Sequence, residues 1–342
     1  MAEPARNDTP IRDTVVSLRG VGKAFKQRQR TDELSDIFTS LFKPKFKLVQ
    51  ALKDIDLEIM KGEIVAYAGP NGAGKSTTVK ILSGMLSPDS GTVQVLGMHP
   101  QKDRAKYVNR VGVVFGQRTE LWQDHTIAAC YEWKRVVWEI PRDRYDKMLS
   151  YVKEVLGLDE FYLSMVRELS LGQRMRADLG MALLHEPEIL FLDEPSLGLD
   201  VLAKRNILEF IKKLNRERQM TVMVTSHDMN ELEELAGRIV MVHKGNIAFD
   251  GDFTQLRQEF ADRRVLSIET NSEQAPVLTG AEFVKSEARK HEYSFDASTT
   301  NIAELLEQAT AQSKLTDVET HRAPIDEIIA DIYERWQKQP HP

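Results

Sequence analysis

Short, mainly apolar runs alternate with stretches of helical periodicity over the central part of the chain. The runs occupy residues 63–68, 188–192 and 221–225. Runs of this length without polar alternation indicate strands that are buried on both faces. Because helical patterns separate these strands, a mostly parallel sheet is predicted, and the fold class is α/β.

The segment before this core alternates in strand fashion between residues 15 and 59, which predicts an antiparallel β subdomain. An insertion at about residues 31–48 interrupts it, and the apolar side chains there fall at helical spacing: Leu34, Ile37, Phe38, Leu41 and Phe42. This spacing predicts an amphipathic helix, followed by Lys43, Lys45 and Lys47. Two interpretations stay open: the basic end meets anionic lipid or a partner, or the helix packs on its own domain.

Helical periodicity returns between residues 103 and 167 and predicts a helical subdomain at about residues 118–168. This region contains three tryptophans, Trp122, Trp133 and Trp138. Large aromatic side chains dominate protein cores, so we expect these three to lie in the core of the subdomain.

The last part of the chain has a different pattern. A hairpin is predicted at residues 238–250, and short strands follow at 265–270 and 291–295. Helices are predicted from Asn301 and from Pro324. The second of these helices has one apolar face, formed by Ile325, Ile328, Ile329, Ile332, Tyr333 and Trp336. A small α+β domain is therefore predicted.

The predicted organisation is a tail (residues 1–14), a main domain (15–252) and the α+β domain (253–342), which we expect to serve as an accessory or dimerisation domain. The 342 residues, 42% of them hydrophobic, are sufficient for two ordinary cores.

Composition excludes several classes of protein. The net charge of −6 gives no electrostatic case for nucleic acid, and no such partner is expected. The single cysteine, Cys130, excludes an internal disulfide and a cysteine-based metal cluster. No stretch approaches the ~18–20 apolar residues of a membrane span, and the N-terminus lacks an apolar signal core. We therefore expect the chain to stay in the cytosol.

Residues 69–77 have the sequence Gly-Pro-Asn-Gly-Ala-Gly-Lys-Ser-Thr and lie between a predicted strand and a predicted helix. In such a G-x-x-x-x-G-K-S pattern the glycines let successive amide groups converge on phosphate oxygens. The lysine adds a positive charge, the serine hydroxyl suits Mg²⁺, and the helix directs its positive end at the anion. The predicted phosphate-binding residues are Gly69, Asn71, Gly72, Ala73, Gly74, Lys75, Ser76 and Thr77. The motif predicts that the chain binds a nucleoside triphosphate.

Polar side chains follow two of the predicted strands. Asp193 and Glu194 come directly after the strand at residues 188–192, and His227 follows the strand at 221–225. The carboxyl ends of parallel strands form the ligand crevice of such folds. Asp193 is predicted to bind Mg²⁺ through water, and Glu194 is predicted to be the base that orients the attacking water.

Residues 169–173 have the sequence Leu-Ser-Leu-Gly-Gln. Ser170 and Gln173 have the spacing of a capping box, which predicts that a helix begins here. A capped helix start with a glycine also presents amide groups to a γ-phosphate, and that phosphate can belong to another chain.

The order of these motifs resembles that of the nucleotide-binding subunits of ATP-binding cassette (ABC) transporters. The resemblance covers residues 15–252 and includes Gln117, the Gly-Leu-Asp segment at residues 198–200 and His227. It implies an ABC-type ATPase fold, with ATP and Mg²⁺ as ligands and ATP hydrolysis as the activity. Two departures exist: Leu171 stands where the usual signature has glycine, and an insertion follows Phe25.

The resemblance also implies a head-to-tail dimer with two ATP molecules between the subunits. Each phosphate loop would face three residues of the other chain: Ser170, Gly172 and Gln173. Gln117 would contact Mg²⁺, His227 would bridge the γ-phosphate and Asp200 would line the dimer seam. Phe25 matches the aromatic residue that stacks on adenine, although a core position stays open for it.

Because the chain shows no membrane path, the resemblance implies a separate integral membrane permease and a peripheral location on the cytoplasmic face of the membrane. The chain would pair with a second copy or with another ABC subunit. Its short spacing between Gln117 and the signature, with its small C-terminal domain, resembles bacterial exporters. The alternatives are a soluble ABC-fold ATPase of DNA repair or translation, and a phosphate-loop kinase or GTPase. The first usually has coiled-coil insertions, zinc motifs or tandem cassettes, and the second would lack the signature.

Overall fold

The computed structural model describes residues 13–28, 46–259, 263–297, 299–322 and 325–338. Up to residue 251, the elements in chain order are β1 (Thr14–Arg28), β2 (Phe46–Met60), β3 (Ile64–Ala68), α1 (Lys75–Leu82), β4 (Ser90–Val95), α2 (Arg104–Tyr107), β5 (Val111–Phe115), α3 (Ile127–Val137), α4 (Arg142–Leu156), α5 (Leu171–Leu183), β6 (Ile189–Asp193), α6 (Val201–Arg218), β7 (Thr221–Thr225), α7 (Met229–Leu235), β8 (Arg238–His243) and β9 (Asn246–Gly251).

The remaining elements are α8 (Phe253–Glu259), β10 (Arg263–Thr270), β11 (Glu282–Glu287), β12 (Lys290–Asp296), α9 (Ile302–Gln312), β13 (Leu315–Arg322) and α10 (Ile325–Lys338). The chain divides into two compact units whose boundary in the sequence lies between Asp250 and Gly251, beside the predicted boundary at residue 252. The short segment Asp228–Asn230 is grouped with the second unit.

The central sheet of the first unit has the strand order β5-β6-β7-β3-β8-β9. Its first five strands pair in parallel, as the alternation of strands and helices predicts. Every residue of β6 and β7 is buried, which confirms that their continuous apolar runs belong to strands covered on both faces. The predicted hairpin is formed by β8 and β9, and its turn residues Lys244 and Gly245 both have positive φ angles, of 47° and 85°.

Parallel pairing determines where the site can form. The carboxyl ends of β3, β5, β6 and β7 lie at the same edge of the sheet, where ligands bind in open α/β folds. In this register Phe115 lies beside Asp193, and Asp193 lies beside Thr225. The phosphate loop, Gln117, Glu194 and His227 therefore leave the sheet at one edge.

A second sheet, of order β2-β1-β4, is antiparallel and shares one hydrophobic core with the central sheet and α1. Leu52 and Ile55 of β2, Val79 and Ile81 of α1 and Phe191 of β6 are all completely buried in it. Burying a side chain of this size contributes about 1.5–3 kcal/mol, so this core holds the helix that follows the phosphate loop firmly against both sheets.

Strand β2 begins within the insertion predicted at about residues 31–48. β1 continues to Arg28 and β2 begins at Phe46, and these two residues pair with each other. Lys47 therefore belongs to a strand, because the antiparallel ladder continues past the predicted boundary. The predicted amphipathic helix, with its apolar residues 34–42, and Lys43 and Lys45 lie outside the described residues.

The core positions predicted for two tryptophans are wrong. Trp122 and Trp133 are 42% and 41% exposed, and their ring centroids lie 4.6 Å apart. Helix α3 buries one face, which consists of Ile127, Cys130, Tyr131 and Lys134. Trp133 is therefore on the opposite face, together with the exposed Val136 and Val137. Trp138 is half-buried.

The second unit contains an antiparallel sheet of order β11-β12-β10-β13. Leu266, Ile268 and Tyr293 of this sheet pack with Leu305 and Ala309 of α9 in a separate core. The predicted strands at 265–270 and 291–295 correspond to β10 and β12, whereas β11 and β13 were not predicted. In α10 the isoleucines of the predicted apolar face are buried: Ile325, Ile328, Ile329 and Ile332.

Candidate nucleotide site

The phosphate loop adopts a backbone that depends on glycine. Gly72 and Gly74 have φ angles of 79° and 118°. A Cβ atom on Gly74 would lie 2.5 Å from Leu52 Cδ2 and 2.7 Å from the carbonyl oxygen of Ala51. The loop therefore approaches β2 closely because residue 74 has no side chain.

Lys75 is buried, and its ammonium group lies across the loop. The Nζ atom donates hydrogen bonds to the carbonyl oxygens of Gly69, at 2.6 Å, and Pro70, at 3.4 Å. Burial lowers the pKa of Lys75, while the carboxylates of Glu194 and Asp193 act in the opposite direction. This places a poorly solvated positive charge where the motif requires one for phosphate.

Asp193 lies next to the predicted hydroxyl ligand of Mg²⁺. Ser76 Oγ donates to Asp193 Oδ1 at 3.2 Å, and Thr225 Oγ1 donates to the same oxygen at 2.7 Å. A cavity of about 140 Å³ is lined by Ser76, Gln117, Asp193 and Glu194, with Lys80, Met85, Phe115, Gly116 and Arg118. The structure thus brings four predicted site residues to one cavity.

Glu194 and His227 are in direct contact. His227 Nε2 lies 2.6 Å from Glu194 Oε1, and their side chains are 43% and 13% exposed. The Glu194 backbone has a φ of 56°, and its amide donates to the carbonyl oxygen of Thr225 at 3.1 Å. A non-glycine residue with such a φ costs about 1 kcal/mol or more, so the surrounding structure holds Glu194 in this position.

The capping box predicted at the start of α5 is confirmed. The Gln173 amide donates to Ser170 Oγ at 3.2 Å, and the Ser170 amide donates to Gln173 Oε1 at 2.9 Å. The side chain of Leu171 lies against Gly198, since a Cβ there would be 3.0 Å from Leu171 Cδ2. The unusual leucine of the signature therefore packs on the segment 198–200 of its own chain.

Other predicted residues lie away from the cavity. Ser170, Gly172 and Gln173 are not among its lining residues. Asp200 is exposed and caps α6, where its Oδ1 atom accepts a hydrogen bond from the Ala203 amide at 2.8 Å. Phe25 is 41% exposed on β1, with Lys23 Nζ 5.7 Å from its ring centroid. The alternative core position for Phe25 is therefore wrong.

A larger groove of about 790 Å³ begins at the loop after Gln117, and we call it the subdomain groove. Apolar residues such as Val113 and Trp138 line it, together with three buried titratable side chains, Lys134, Asp178 and His185. Burial raises the pKa of Asp178 to about 7 and lowers that of His185 to about 4. Burial also lowers the pKa of Lys134, whose ammonium lies 3.6 Å from Glu120 Oε2.

Sequence reasoning missed Thr225 and Asp178. Thr225 ends β7 and donates to Asp193, and only the register of β6 with β7 shows this contact. Asp178 had a visible signal, because it is a carboxylate within a run of apolar residues on α5. Thr119 Oγ1 and the Glu120 amide both donate to Asp178 Oδ1, at 2.7 Å and 3.2 Å.

Replacing Asp178 with asparagine is expected to raise stability relative to the unchanged chain as the pH increases. Burial raises the folded-state pKa of Asp178 to about 7 from the ordinary aspartate value of 3.8, so the folded chain binds the proton more tightly. Stability that is complete below pH 4 is therefore lost as the pH rises towards 7, and asparagine avoids this loss. The gain should reach a few kcal/mol at pH 7.5 in urea unfolding. If the difference in free energy of unfolding between the two chains stayed constant between pH 4.5 and 7.5, this expectation would be contradicted. His185 is present in both chains, so its own titration cancels from the difference.

The parallel sheet, the phosphate loop and the carboxylates beside it define a phosphate-loop nucleotide-binding protein. The family model for ABC transporters matches residues 52–197. The ABC transporter ATP-binding protein NatA of Bacillus subtilis is 32% identical over 215 residues, which cover 63% of this chain and 87% of NatA. The chain therefore belongs to the ABC transporter family, as an ATP-binding subunit with ATPase activity.

The chain is also similar to other ABC proteins, some of them over only part of their length. The linearmycin resistance ATP-binding protein LnrL of Bacillus subtilis is 36% identical over 205 residues, or 60% of this chain and 65% of LnrL. The chain spans 36% of the length of ABC transporter A family member 1 of Dictyostelium discoideum. A solved dimeric ATP-binding cassette in a post-hydrolysis state, bound to ADP and Pi, is 25% identical, with a TM-score of 0.57 over 69% of this chain and 98% of that chain. None of the helices in the described residues has both the length and the apolar composition of a bilayer span.

Proposed function

We propose that the chain is the ATP-hydrolysing subunit of an ABC exporter and that it drives a separate membrane permease. The supporting observation is the position of Gln117. It lines the cavity that contains Ser76, Asp193 and Glu194, and the loop that follows it lines the subdomain groove. A change at the γ-phosphate can thus reach a surface that is suited to a partner.

The residues of the cavity fit Mg²⁺ with ATP. The oxygen atoms Ser76 Oγ and Asp193 Oδ1 lie 3.2 Å apart, and Mg²⁺ prefers oxygen ligands. Ser76, Gln117 and Asp193 would hold the ion, which neutralises charge on the β- and γ-phosphates when bound. The phosphate loop binds the phosphates, Glu194 orients water and accepts its proton, and His227 contacts the γ-phosphate while it orients Glu194.

A second copy of the chain would complete each site. Ser170, Gly172 and Gln173 do not line the cavity of their own chain, so they are available to a nucleotide held by a partner. Val201 and Leu202, directly after Asp200, are 85% and 68% exposed. Burial of these side chains in a head-to-tail dimer, with Asp200 at the seam, would remove apolar surface from water.

Phe25 is proposed to stack on adenine. Its ring is partly exposed, and its strand neighbour Ala24 pairs with Gln50, next to the residues that contact Gly74. Base stacking on an aromatic ring contributes about 1–3 kcal/mol. Phe25 thus belongs to the strand pair that approaches the phosphate loop at Gly74, which supports this role.

The permease is proposed to bind at the subdomain groove and the neighbouring pair Trp122 and Trp133. Exposed tryptophans that contact each other are typical of protein interfaces rather than of a free surface. This arrangement would hold the chain peripherally on the cytoplasmic face of the membrane.

Residues 253–342 are proposed to be an accessory or dimerisation domain.

Changing both Trp122 and Trp133 to alanine is expected to abolish copurification with an integral membrane protein from detergent-solubilised membranes. The loss should exceed about tenfold, because two central aromatic side chains at an interface often contribute more than 2 kcal/mol each. ATP binding by the purified chain should not change. Val277→Ala serves as control, because Val277 is 78% exposed but belongs to the second unit. Equal recovery of the membrane protein with both variants would contradict the proposed docking site.

Export is proposed from two observations. The spacing between Gln117 and the signature is short, and LnrL, one of the relatives, is described as a resistance protein. Reconstitution of the chain and its copurified permease into vesicles tests the direction. With the ATP-binding subunit facing outward, an exporter accumulates cargo inside the vesicle.

A further inference from the structure

The loop that contains Gln117 is fastened at both of its ends. At one end the Gly116 amide donates to the carbonyl oxygen of Asp193 at 2.8 Å. At the other end Asp178 Oδ1 accepts hydrogen bonds from Thr119 Oγ1, at 2.7 Å, and from the Glu120 amide, at 3.2 Å. We call these two bonds to Asp178 the loop clasp. The loop therefore connects the strand that contains Asp193 to helix α5.

Helix α5 also begins with the signature. Ser170 caps it, and Asp178 follows eight residues later on the same helix, a rise of about 12 Å. The capping box fixes the first turn, and Tyr131 Oη donates to the Ala177 carbonyl oxygen at 2.7 Å, which ties α5 to α3. A rigid helix thus joins the signature to the loop clasp.

We propose that Asp178 is a positioning residue that makes the Gln117 loop and the signature helix move as one body during ATP binding. This inference rests on the proposed roles of Gln117 and of the signature. When Gln117 moves with the nucleotide, the clasp transmits the movement to α5 and so aligns the signature with the second copy. Loss of the clasp leaves both parts intact but uncoupled.

The acceptor oxygen, rather than the charge of Asp178, performs this task. Both bonds end on Oδ1, and one carbonyl-type oxygen can accept two hydrogen bonds. Burial raises the pKa of Asp178, and a protonated carboxyl group still keeps an acceptor oxygen. Asparagine offers the same oxygen without the charge, so Asp178→Asn is the conservative variant that should preserve the clasp.

The clasp is tested first by hydrogen exchange of residues 117–122 in the full chain. Asp178→Ala is expected to speed exchange of these amides by about tenfold or more, because the bond to the Glu120 amide is lost. Thr119→Val removes the other bond, but it also removes the acceptor of the Leu121 amide, so its smaller increase is read at the Glu120 amide. Asp178→Asn should exchange no faster than the unchanged chain. Tyr131→Phe is the control, since it removes a buried bond to the neighbouring residue Ala177 without touching the loop. The clasp is overturned if these amides exchange in Asp178→Ala as slowly as in the unchanged chain. It is also overturned if they exchange in Tyr131→Phe as fast as in Asp178→Ala. If Asp178→Ala does not fold, Thr119→Val becomes the test of the clasp. In that case, exchange as slow as in the unchanged chain overturns the clasp.

Coupling is tested by the kinetics of ATP hydrolysis. Asp178→Ala should lower kcat about tenfold while KM for ATP changes less than about twofold, because the phosphate loop is untouched. Asp178→Asn should restore kcat. An unchanged kcat in Asp178→Ala, or a loss of kcat in Asp178→Asn as large as in Asp178→Ala, overturns the proposal. Gln117→Ala distinguishes a failure of the proposed function of Gln117 from a failure of the clasp. If this variant retains full turnover, the proposed function of Gln117 is wrong, whereas the hydrogen-exchange result on the clasp still stands.

Discussion

Replacement of Glu194 with glutamine is expected to slow ATP hydrolysis by about 100-fold or more. Glutamine has the same shape but cannot accept the proton of the attacking water. Asp193 and Ser76 remain in place, so ATP with Mg²⁺ should still bind and should accumulate in a closed dimer. Phosphate release gives the rate, and size-exclusion chromatography with ATP gives the dimer fraction.

The control for this prediction lies at the other end of the same strand. Glu188 precedes β6 and pairs with Arg110 at the surface. Glu188→Gln makes the same chemical change there and should leave hydrolysis unaffected, since an exposed ion pair contributes about 0–1 kcal/mol to stability. Undiminished turnover in Glu194→Gln would refute the role of Glu194 as base. A non-hydrolysable ATP analogue that binds entirely within a monomer would refute the proposal that two copies of the chain share each nucleotide site.

The parts of the fold that could be predicted are those in which burial is uniform. β6 and β7 are apolar throughout because both faces of the central sheet are covered, and this leaves a continuous apolar run in the sequence. The isoleucines of α10 recur at helical spacing because one face of that helix is buried. The capping box was predictable because its bonds join residues three positions apart.

The parts that could not be predicted depend on neighbours distant in sequence. Every residue of β11 is exposed, so this edge strand has no apolar alternation to reveal it. On α3 the polarity is inverted: Lys134 is buried, whereas Trp133 is exposed. Periodicity gives the two faces of such a helix but does not show which face meets the core and which is left exposed.

The site shows the same division. The phosphate loop, Asp193 and Glu194 follow apolar strands and could be placed at one edge of the sheet from the motif order alone. The bond from Thr225 to Asp193 requires the register of β6 and β7, and the bond from Thr119 to Asp178 joins residues 59 positions apart. The residues predicted to bind the nucleotide were thus visible in the sequence. The contacts that Thr225 and Asp178 make were not, although Asp178 itself stands out as a carboxylate among apolar residues of α5.

Lys75→Met is expected to weaken ATP binding on the order of 100-fold while the chain stays folded. The ammonium group is the buried charge that the phosphates would meet, and methionine fills a similar volume without it. Removal of the charge relieves the desolvation that lowers the pKa of Lys75, but it also removes the bond to the carbonyl oxygen of Gly69. These effects oppose each other, so the free energy of unfolding should change by no more than about 1 kcal/mol.

The matched variant is Lys80→Met, on the same helix. Lys80 is exposed and lines the 140 Å³ cavity, so it tests whether any nearby positive charge is sufficient. Its replacement should change ATP affinity by less than about threefold, because a solvated charge is screened. Isothermal titration with ATP, together with urea unfolding, separates binding from folding in both variants. Equal losses of affinity would mean that general positive charge attracts the nucleotide, and the specific position of Lys75 across the phosphate loop would then have no special role.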